Sequence, residues 1–143
     1  MRRELKLVLR IAGTSMLLAL VFVAAPRSWM RDIHGLVDLG EMPDTPIVWY
    51  LARSLSAFYA VIGGLFWIVS FDVSHHHSVL RYLGWTMVLF GAALCIIDAQ
   101  AAMPLAWTVT EGPSVTLFGL VMLYLVSRCK HAPAPSSAAH PPA

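Results

Sequence analysis

Residues Ile47–Phe71 have the sequence IVWYLARSLSAFYAVIGGLFWIVSF, with Arg53 as their one charged side chain. A helix needs about 20 mostly apolar residues to cross a bilayer, and this stretch is long enough. Three further stretches are similar, and the predicted spans are residues 7–25, 47–71, 82–102 and 113–129. We expect Pro113 in the first turn of the fourth span, where its missing N–H needs no partner.

The composition points to the same class of protein. Of the 143 residues, 58% are hydrophobic and 13% are charged, against about 25% charged in an ordinary soluble domain. A small chain cannot bury so many apolar side chains in its own core. The sequence therefore predicts an all-α protein, an integral membrane four-helix bundle with the lipid bilayer as its partner. A net charge of +2 is too small and too scattered for binding to nucleic acid.

The distribution of Lys and Arg predicts the orientation, because these residues collect on the cytoplasmic side. One side of the predicted bundle holds both termini, the loop between the second and third spans, and most of the basic residues, which are Arg2, Arg3, Lys6, Arg10, Arg81, Arg128 and Lys130. We therefore expect a cell (inner) membrane protein with both termini in the cytoplasm. Residues 1–130 form the membrane domain, and the Pro/Ala-rich tail, 131–143, is expected to be disordered.

The first span also has features of a secretory signal, since basic residues precede an apolar run that ends in Val23, Ala24 and Ala25. Pro26 would directly follow the cleavage point, and the run is long for a signal core, so we favour a retained span.

The first outer loop contains apolar residues at helical spacing, among them Trp29, Ile33 and Leu36. A short interfacial helix is therefore predicted there. The aromatic side chains Trp29, Trp49, Tyr50 and Trp107 are expected to form a belt at the outer interface.

The two halves of the chain share a sequence pattern. At an offset of 71, VLRIAGTSMLL (residues 8–18) aligns with VLRYLGWTMVL (residues 79–89), and a Pro-x-x-Trp motif follows in both halves. This pattern predicts two antiparallel hairpins related by internal duplication. Chance similarity between apolar segments is the alternative.

Three ionisable residues are predicted near the outer ends of the spans. Arg53 lies six residues into the second span, and Asp98 lies near the end of the third. Charges at such depth are costly and face protein or trapped water. We therefore expect Arg53 and Asp98 to form an ion pair, with Glu111 as a second carboxylate. The cluster either fixes the bundle or forms an outward-facing pocket for a small ligand or a proton.

Small residues follow the same helix faces and predict close helix packing. This helix-packing stripe consists of Ser56, Ala60, Gly64, Gly84 and Gly91.

Other chemistry has little support in the sequence. The run His75, His76 and His77 is a weak candidate for a metal site, because successive helical residues point about 100° apart. Cys95 and Cys129 are expected near opposite faces of the membrane, too far apart for a disulfide. No catalytic triad, phosphate loop, HExxH or CxxC motif is found. We therefore predict no metal, no cofactor and no enzymatic activity.

Four spans, cytoplasmic termini, a short outer helix and a buried Arg resemble the small bacterial membrane proteins of the DoxX-like type. The resemblance covers most of residues 1–130 and implies a loose link to respiratory and redox membrane complexes. The leading hypothesis is a non-enzymatic structural or accessory subunit of a membrane complex. The alternative is a small oligomeric carrier or ligand-binding protein that uses the pocket of Arg53, Asp98 and Glu111. A redox or quinone-linked partner is a third hypothesis.

Overall fold

The computed structural model describes residues 2–37 and 39–129, and these residues form helices and no strands. The helices in chain order are α1 (Arg2–Leu17), α2 (Leu20–Ala24), α3 (Arg27–Leu36), α4 (Pro46–Phe71), α5 (His77–Gln100) and α6 (Leu105–Arg128). Four segments are long and apolar enough to cross a membrane, namely Arg2–Ala24, α4, α5 and α6. The predicted tail, 131–143, lies outside the described residues.

The first span is made of α1 and α2 with a tighter turn between them. Ala19 donates its backbone N–H to the Met16 carbonyl at 3.1 Å, and Phe22 donates to the Ala19 carbonyl at 3.0 Å. Bonds over three residues tighten a helix locally without ending it. Pro26 ends the span because its ring cannot continue the helical bonding.

Three of the spans begin at least five residues earlier than the hydropathy pattern indicates, and the first of them begins at Arg2 instead of residue 7. Helix α5 begins at His77, five residues before the expected start. Helix α6 begins at Leu105, and Pro113 therefore lies inside the helix instead of in its first turn. Pro104 occupies the N-terminal cap of α6. Packing of α6 on α5 on both sides of Pro113 keeps the helix continuous, since neighbouring helices let a membrane helix tolerate proline.

The helices pack in two pairs. Helix α1 contacts α4, helix α5 contacts α6, and α1 also touches α6. The Phe66 and Phe118 rings, with centroids 5.5 Å apart, join α4 to α6. The shared core lies toward the end that holds the N-terminus, and its residues are Leu5, Leu9, Phe66, Val69, Val73, Leu80, Leu83, Met87, Met122, Leu125, Val126 and Cys129. Arg53 and Asp98 lie in the opposite half of the molecule, outside this core.

Glycines allow the paired helices to come close. A Cβ atom on Gly63 of α4 would lie 2.6 Å from the carbonyl oxygen of Gly13 in α1. A Cβ atom on Gly119 of α6 would lie 2.8 Å from the carbonyl oxygen of Gly84 in α5. These separations leave no room for a side chain, so the helices touch backbone to backbone, as small residues permit in membranes.

Candidate functional site

Asp98 lies on the face of α5 that contacts α6. Gly84, Gly91 and Asp98 are spaced seven residues apart, which is about two helical turns, so they share one face. Gly84 and Gly91 meet the backbone of α6 at Gly119 and Gly112. Asp98 continues this series toward the turn between α5 and α6, and it is only 5% exposed.

The carboxylate of Asp98 is buried without a complete set of partners. Within the described part of the chain, its Oδ2 atom has no hydrogen-bond donor. The Asp98 backbone carbonyl, in contrast, accepts the Met103 N–H at 3.0 Å and closes the turn toward α6. A buried polar oxygen without a partner costs free energy, and ionisable residues inside membrane spans are candidates for function. Asp98 is therefore the strongest candidate for binding a proton or a cationic group.

Arg53 does not pair with Asp98 in the structure, which corrects the expected ion pair. Its Nη2 atom donates instead to the carbonyl oxygen of Ala25 at 3.3 Å, and the side chain is largely exposed. Ala25 ends the first span, where the following Pro26 has no N–H. Cations favour this end of a helix, because its last carbonyls lack partners and its dipole is negative there. Arg53 and Asp98 lie on α4 and α5, in different hairpins, and α4 packs mainly on the first span while α5 packs mainly on α6.

Glu111 has a neighbourhood of its own. Its carboxylate accepts the indole N–H of Trp107, which lies one turn earlier in α6. It also lies close enough to Tyr59 of α4 to interact with it electrostatically. The three residues of the expected pocket therefore have different neighbours, and Arg53 and Asp98 are not in contact.

A cluster at the start of α4 was missed by the sequence analysis. Trp49 is 4% exposed and donates its indole N–H to the Asp44 carboxylate at 2.7 Å. Arg27 lies 3.6 Å from Asp44 and stacks over the Trp49 ring at 5.2 Å. Trp49 therefore fixes the outer loop to α4, and it is not part of an exposed aromatic belt.

The same loop borders a cleft of about 600 Å³. Its lining residues are Arg31, Gly35, Gly40, Glu41, Met42, Pro43 and Asp44.

The residues of the predicted helix-packing stripe divide into two groups. Gly84 and Gly91 lie against α6, and Ala60 is buried. Ser56 is half-buried and donates its hydroxyl to the Ala52 carbonyl at 2.8 Å. Gly64 differs, because nothing lies within 4 Å of the position of its Cβ atom.

Gly63, one residue before Gly64, is the glycine of α4 that meets α1. Because successive helical residues point about 100° apart, the packed face of α4 contains Gly63, one position before the Gly64 of the predicted stripe. Gly13, Gly112 and Gly119 also belong to the packed faces and were not predicted.

The histidines lie in and after the turn between α4 and α5. Asp72 Oδ1 accepts the backbone N–H groups of Ser74 and His75, both at 3.1 Å. The His75 N–H bond is the main cause that lowers the pKa of Asp72, and the Ser74 bond acts in the same direction. His77 contacts the Val126 carbonyl through its ring Nε2 at 3.2 Å.

In residues 2–37 and 39–129, no group of three or more His, Cys, Asp or Glu side chains is arranged to hold a metal ion. Cys95 and Cys129 are free thiols.

Comparison with known proteins gives no relative. No family model, curated protein or solved structure matches the chain.

Proposed function

We propose that this chain is a non-enzymatic multi-pass membrane protein that serves as a structural or accessory subunit of a membrane complex. Its four candidate spans support membrane insertion by length and composition. In each span, at most 28% of the most apolar window is buried inside the chain. The remaining apolar surface needs lipid or other helices to cover it.

The open space around Gly64 is the main observation that supports a role as a subunit. The four spans contain seven glycines, and six of them, Gly13, Gly63, Gly84, Gly91, Gly112 and Gly119, meet a neighbouring helix of the same chain. Gly64 has open space around it, between the exposed side chains of Val61 and Ile68. A glycine inside a helix costs about 0.5–1 kcal/mol relative to alanine. Close approach by a helix of another subunit, or of a second copy, explains this glycine.

The arrangement in the membrane follows from charge and amphipathicity. We place the chain in the inner membrane with both termini in the cytoplasm, on the distribution of Lys and Arg. Helix α3 follows the first span directly and exposes Trp29, Ile33 and Leu36. An amphipathic helix of this kind lies in the plane of the membrane interface.

The hypothesis of internal duplication gains support from two glycines. Gly13 and Gly84 correspond at the offset of 71 residues, and each packs against the second helix of its own hairpin. The two hairpins are accordingly proposed to derive from one ancestral hairpin and to build a four-helix bundle together.

The test is the mass of the full-length chain extracted from its native membrane in a mild detergent. We expect an assembly heavier than the 15.7 kDa of one chain. Gly64→Leu should reduce the assembly to single chains that keep the helical content of the wild type by circular dichroism. Ala92→Leu, at an exposed small residue of α5, is the matched control and should leave the mass unchanged. A wild-type chain that runs alone would contradict the proposal.

Asp98 favours a second candidate function, a carrier or ligand-binding protein. Its buried, unpartnered Oδ2 atom suits transient binding of a proton or a cationic group between α5 and α6. The test uses proteoliposomes with an imposed pH gradient and an internal pH-sensitive dye. Wild-type protein should dissipate the gradient and Asp98→Asn should not, whereas Glu111→Gln should retain activity. Equal rates for wild type and Asp98→Asn would reject this candidate.

The DoxX-like resemblance stays a proposal based on the pattern of spans. It associates the chain with respiratory or redox complexes, and the comparisons give it no support. A redox role predicts visible absorbance from a bound cofactor in the purified protein, and a colourless protein would count against that role.

A further inference from the structure

Arg10 of α1 is held between aromatic rings at the inner end of the first hairpin. Its guanidinium carbon lies 5.1 Å from the Trp67 ring centroid and 5.6 Å from that of Phe71. Its Nε atom donates to the Ser70 hydroxyl at 3.3 Å, and Ser70 is fully buried. These contacts fix the plane of the guanidinium group, which stacks on aromatic faces.

The positive charge of Arg10 has no counter-ion in the described residues. Within 2–37 and 39–129, no carboxylate lies within ion-pair distance of Arg10, and its hydrogen bond to Ser70 uses Nε alone. A guanidinium group has five N–H donors, four of them on the two Nη atoms. A half-buried Arg at the edge of a membrane span therefore has donors available for an anion, and leaving its charge unpaired there is costly.

A shallow cleft of about 310 Å³ lies beside this group. It is lined by Arg10, Ile11, Thr14 and Ser15. The Thr14 hydroxyl accepts the Trp67 indole N–H at 3.2 Å, whereas the Ser15 side chain is exposed. The cleft thus combines a cation, two hydroxyl groups and one apolar wall.

The depth of the cleft matches that of a lipid headgroup. Lys6, one turn before Arg10, donates to the carbonyl of Phe71, the last residue of α4. Four residues of helix place Arg10 about 6 Å deeper than Lys6. Both cations therefore lie at the inner border of the apolar segments, where phospholipid phosphates are found.

We propose that Arg10, with Thr14 and Ser15, binds the phosphate group of an anionic phospholipid in the leaflet that contains the chain termini. The guanidinium group donates to the phosphate oxygens, and the apolar wall at Ile11 contacts the acyl chain. Basic side chains at the membrane border bind such headgroups through charge-assisted hydrogen bonds. The inference rests on the proposal that the chain spans a bilayer, and it is independent of the role of Gly64.

The experiment is a lipid titration of the purified full-length protein in detergent, followed by native mass spectrometry. The probes are phosphatidylglycerol, phosphatidylcholine and inorganic phosphate. We expect Arg10→Gln to weaken phosphatidylglycerol binding by about tenfold or more, the loss expected for a charge-assisted phosphate contact. Arg81→Gln removes an exposed charge from the same side of the other hairpin, and it should leave binding unchanged.

Two further variants distinguish lipid binding at the cleft from effects on folding or on assembly. Ser15→Leu fills the cleft, keeps Arg10, and should weaken phosphatidylglycerol binding as well. Gly64→Leu should retain lipid binding, so failure of the subunit proposal and failure of this one are distinguishable.

Three results would overturn the lipid site. They are equal losses for Arg10→Gln and Arg81→Gln, equal affinity for phosphatidylglycerol and phosphatidylcholine, and undiminished binding in Ser15→Leu. Displacement of the lipid by inorganic phosphate at the same concentration would instead indicate a site for free phosphate and would also overturn the proposal.

Discussion

The backbones of Gly91 in α5 and Gly112 in α6 are in direct contact. A Cβ atom on Gly91 would lie 2.6 Å from the Gly112 carbonyl oxygen and 2.6 Å from the Thr116 nitrogen. Backbone atoms cannot move aside as the end of a flexible side chain can. The second hairpin therefore depends on glycine at this crossing.

Gly91→Ala is expected to destabilise the protein by about 1–3 kcal/mol or more, because the added methyl group forces two helices apart. Thermal unfolding in detergent, followed by circular dichroism, measures the effect. Gly35→Ala in α3 is the control, since nothing lies within 4 Å of its Cβ position and alanine favours a helix by about 0.5–1 kcal/mol. Equal unfolding temperatures for Gly91→Ala and wild type would show that the crossing is not tight.

Arg53 is expected to act on the end of the first span and not on Asp98. Arg53→Ala should lower the free energy of unfolding by about 1 kcal/mol through loss of the bond to the Ala25 carbonyl. Arg53→Lys keeps a donor and should recover part of this loss. In a double-mutant cycle with Asp98→Asn, the effects should add to within about 0.5 kcal/mol, as for separated sites. A larger coupling energy would instead indicate an ion pair between Arg53 and Asp98.

Trp49 is expected to hold the outer loop through its indole N–H. Trp49→Phe keeps most of the ring but removes the donor to Asp44, and should cost about 1 kcal/mol. Trp29→Phe, at an exposed ring, should change stability by less than about 0.5 kcal/mol. Denaturation curves measure the loss of unfolding free energy in both variants. Equal losses would show that the hydrogen bond from Trp49 to Asp44 does not stabilise the loop.

The turn of residues 72–76 is expected to loosen in acid. Hydrogen bonds from the His75 and Ser74 backbones lower the pKa of Asp72 below its ordinary 3.8. Because the folded turn lowers this pKa, the ionised Asp72 carboxylate stabilises the turn at pH values above its ordinary pKa. This stabilisation is lost as the pH falls through the lowered pKa. The protection of the His75 amide, measured as its exchange rate relative to the intrinsic rate at the same pH, should therefore fall below about pH 4 in wild type.

Asp72→Asn provides the control for this turn, because an amide oxygen still accepts backbone N–H groups but does not titrate in this range. Its exchange rate should lack the acid-dependent step. A step of the same size in Asp72→Asn would place its origin in another group.

Much of the fold could be predicted from periodicity and composition. The span of α4 differs from its prediction by one residue, because Thr45 and Pro46 on one side and Asp72 on the other mark its ends. The start of α6 could not be found this way. Both Pro104 and Pro113 suit a helix start, and only packing against α5 shows that the helix passes through the second of them.

The candidate site was predictable only in part. Sequence gives the depth of Arg53 and Asp98 along their helices and the pairing within each hairpin, but not how the two hairpins contact each other. Likewise, Gly63 and Gly64 are equivalent in composition, although one meets α1 and the other faces outward. The pairing of Trp49 with Asp44 depends on the path of the outer loop, which no periodicity describes.

We propose that the chain crosses the membrane four times, with the loop before α4 and the 72–76 turn on opposite sides. Single cysteines at Glu41 and Ser74, both exposed, test it in a background of Cys95→Ala and Cys129→Ala. In intact cells, a membrane-impermeant thiol reagent should label Glu41→Cys at once and Ser74→Cys only after permeabilisation. Labelling of both sites in intact cells, or of Ser74→Cys alone, would contradict the account.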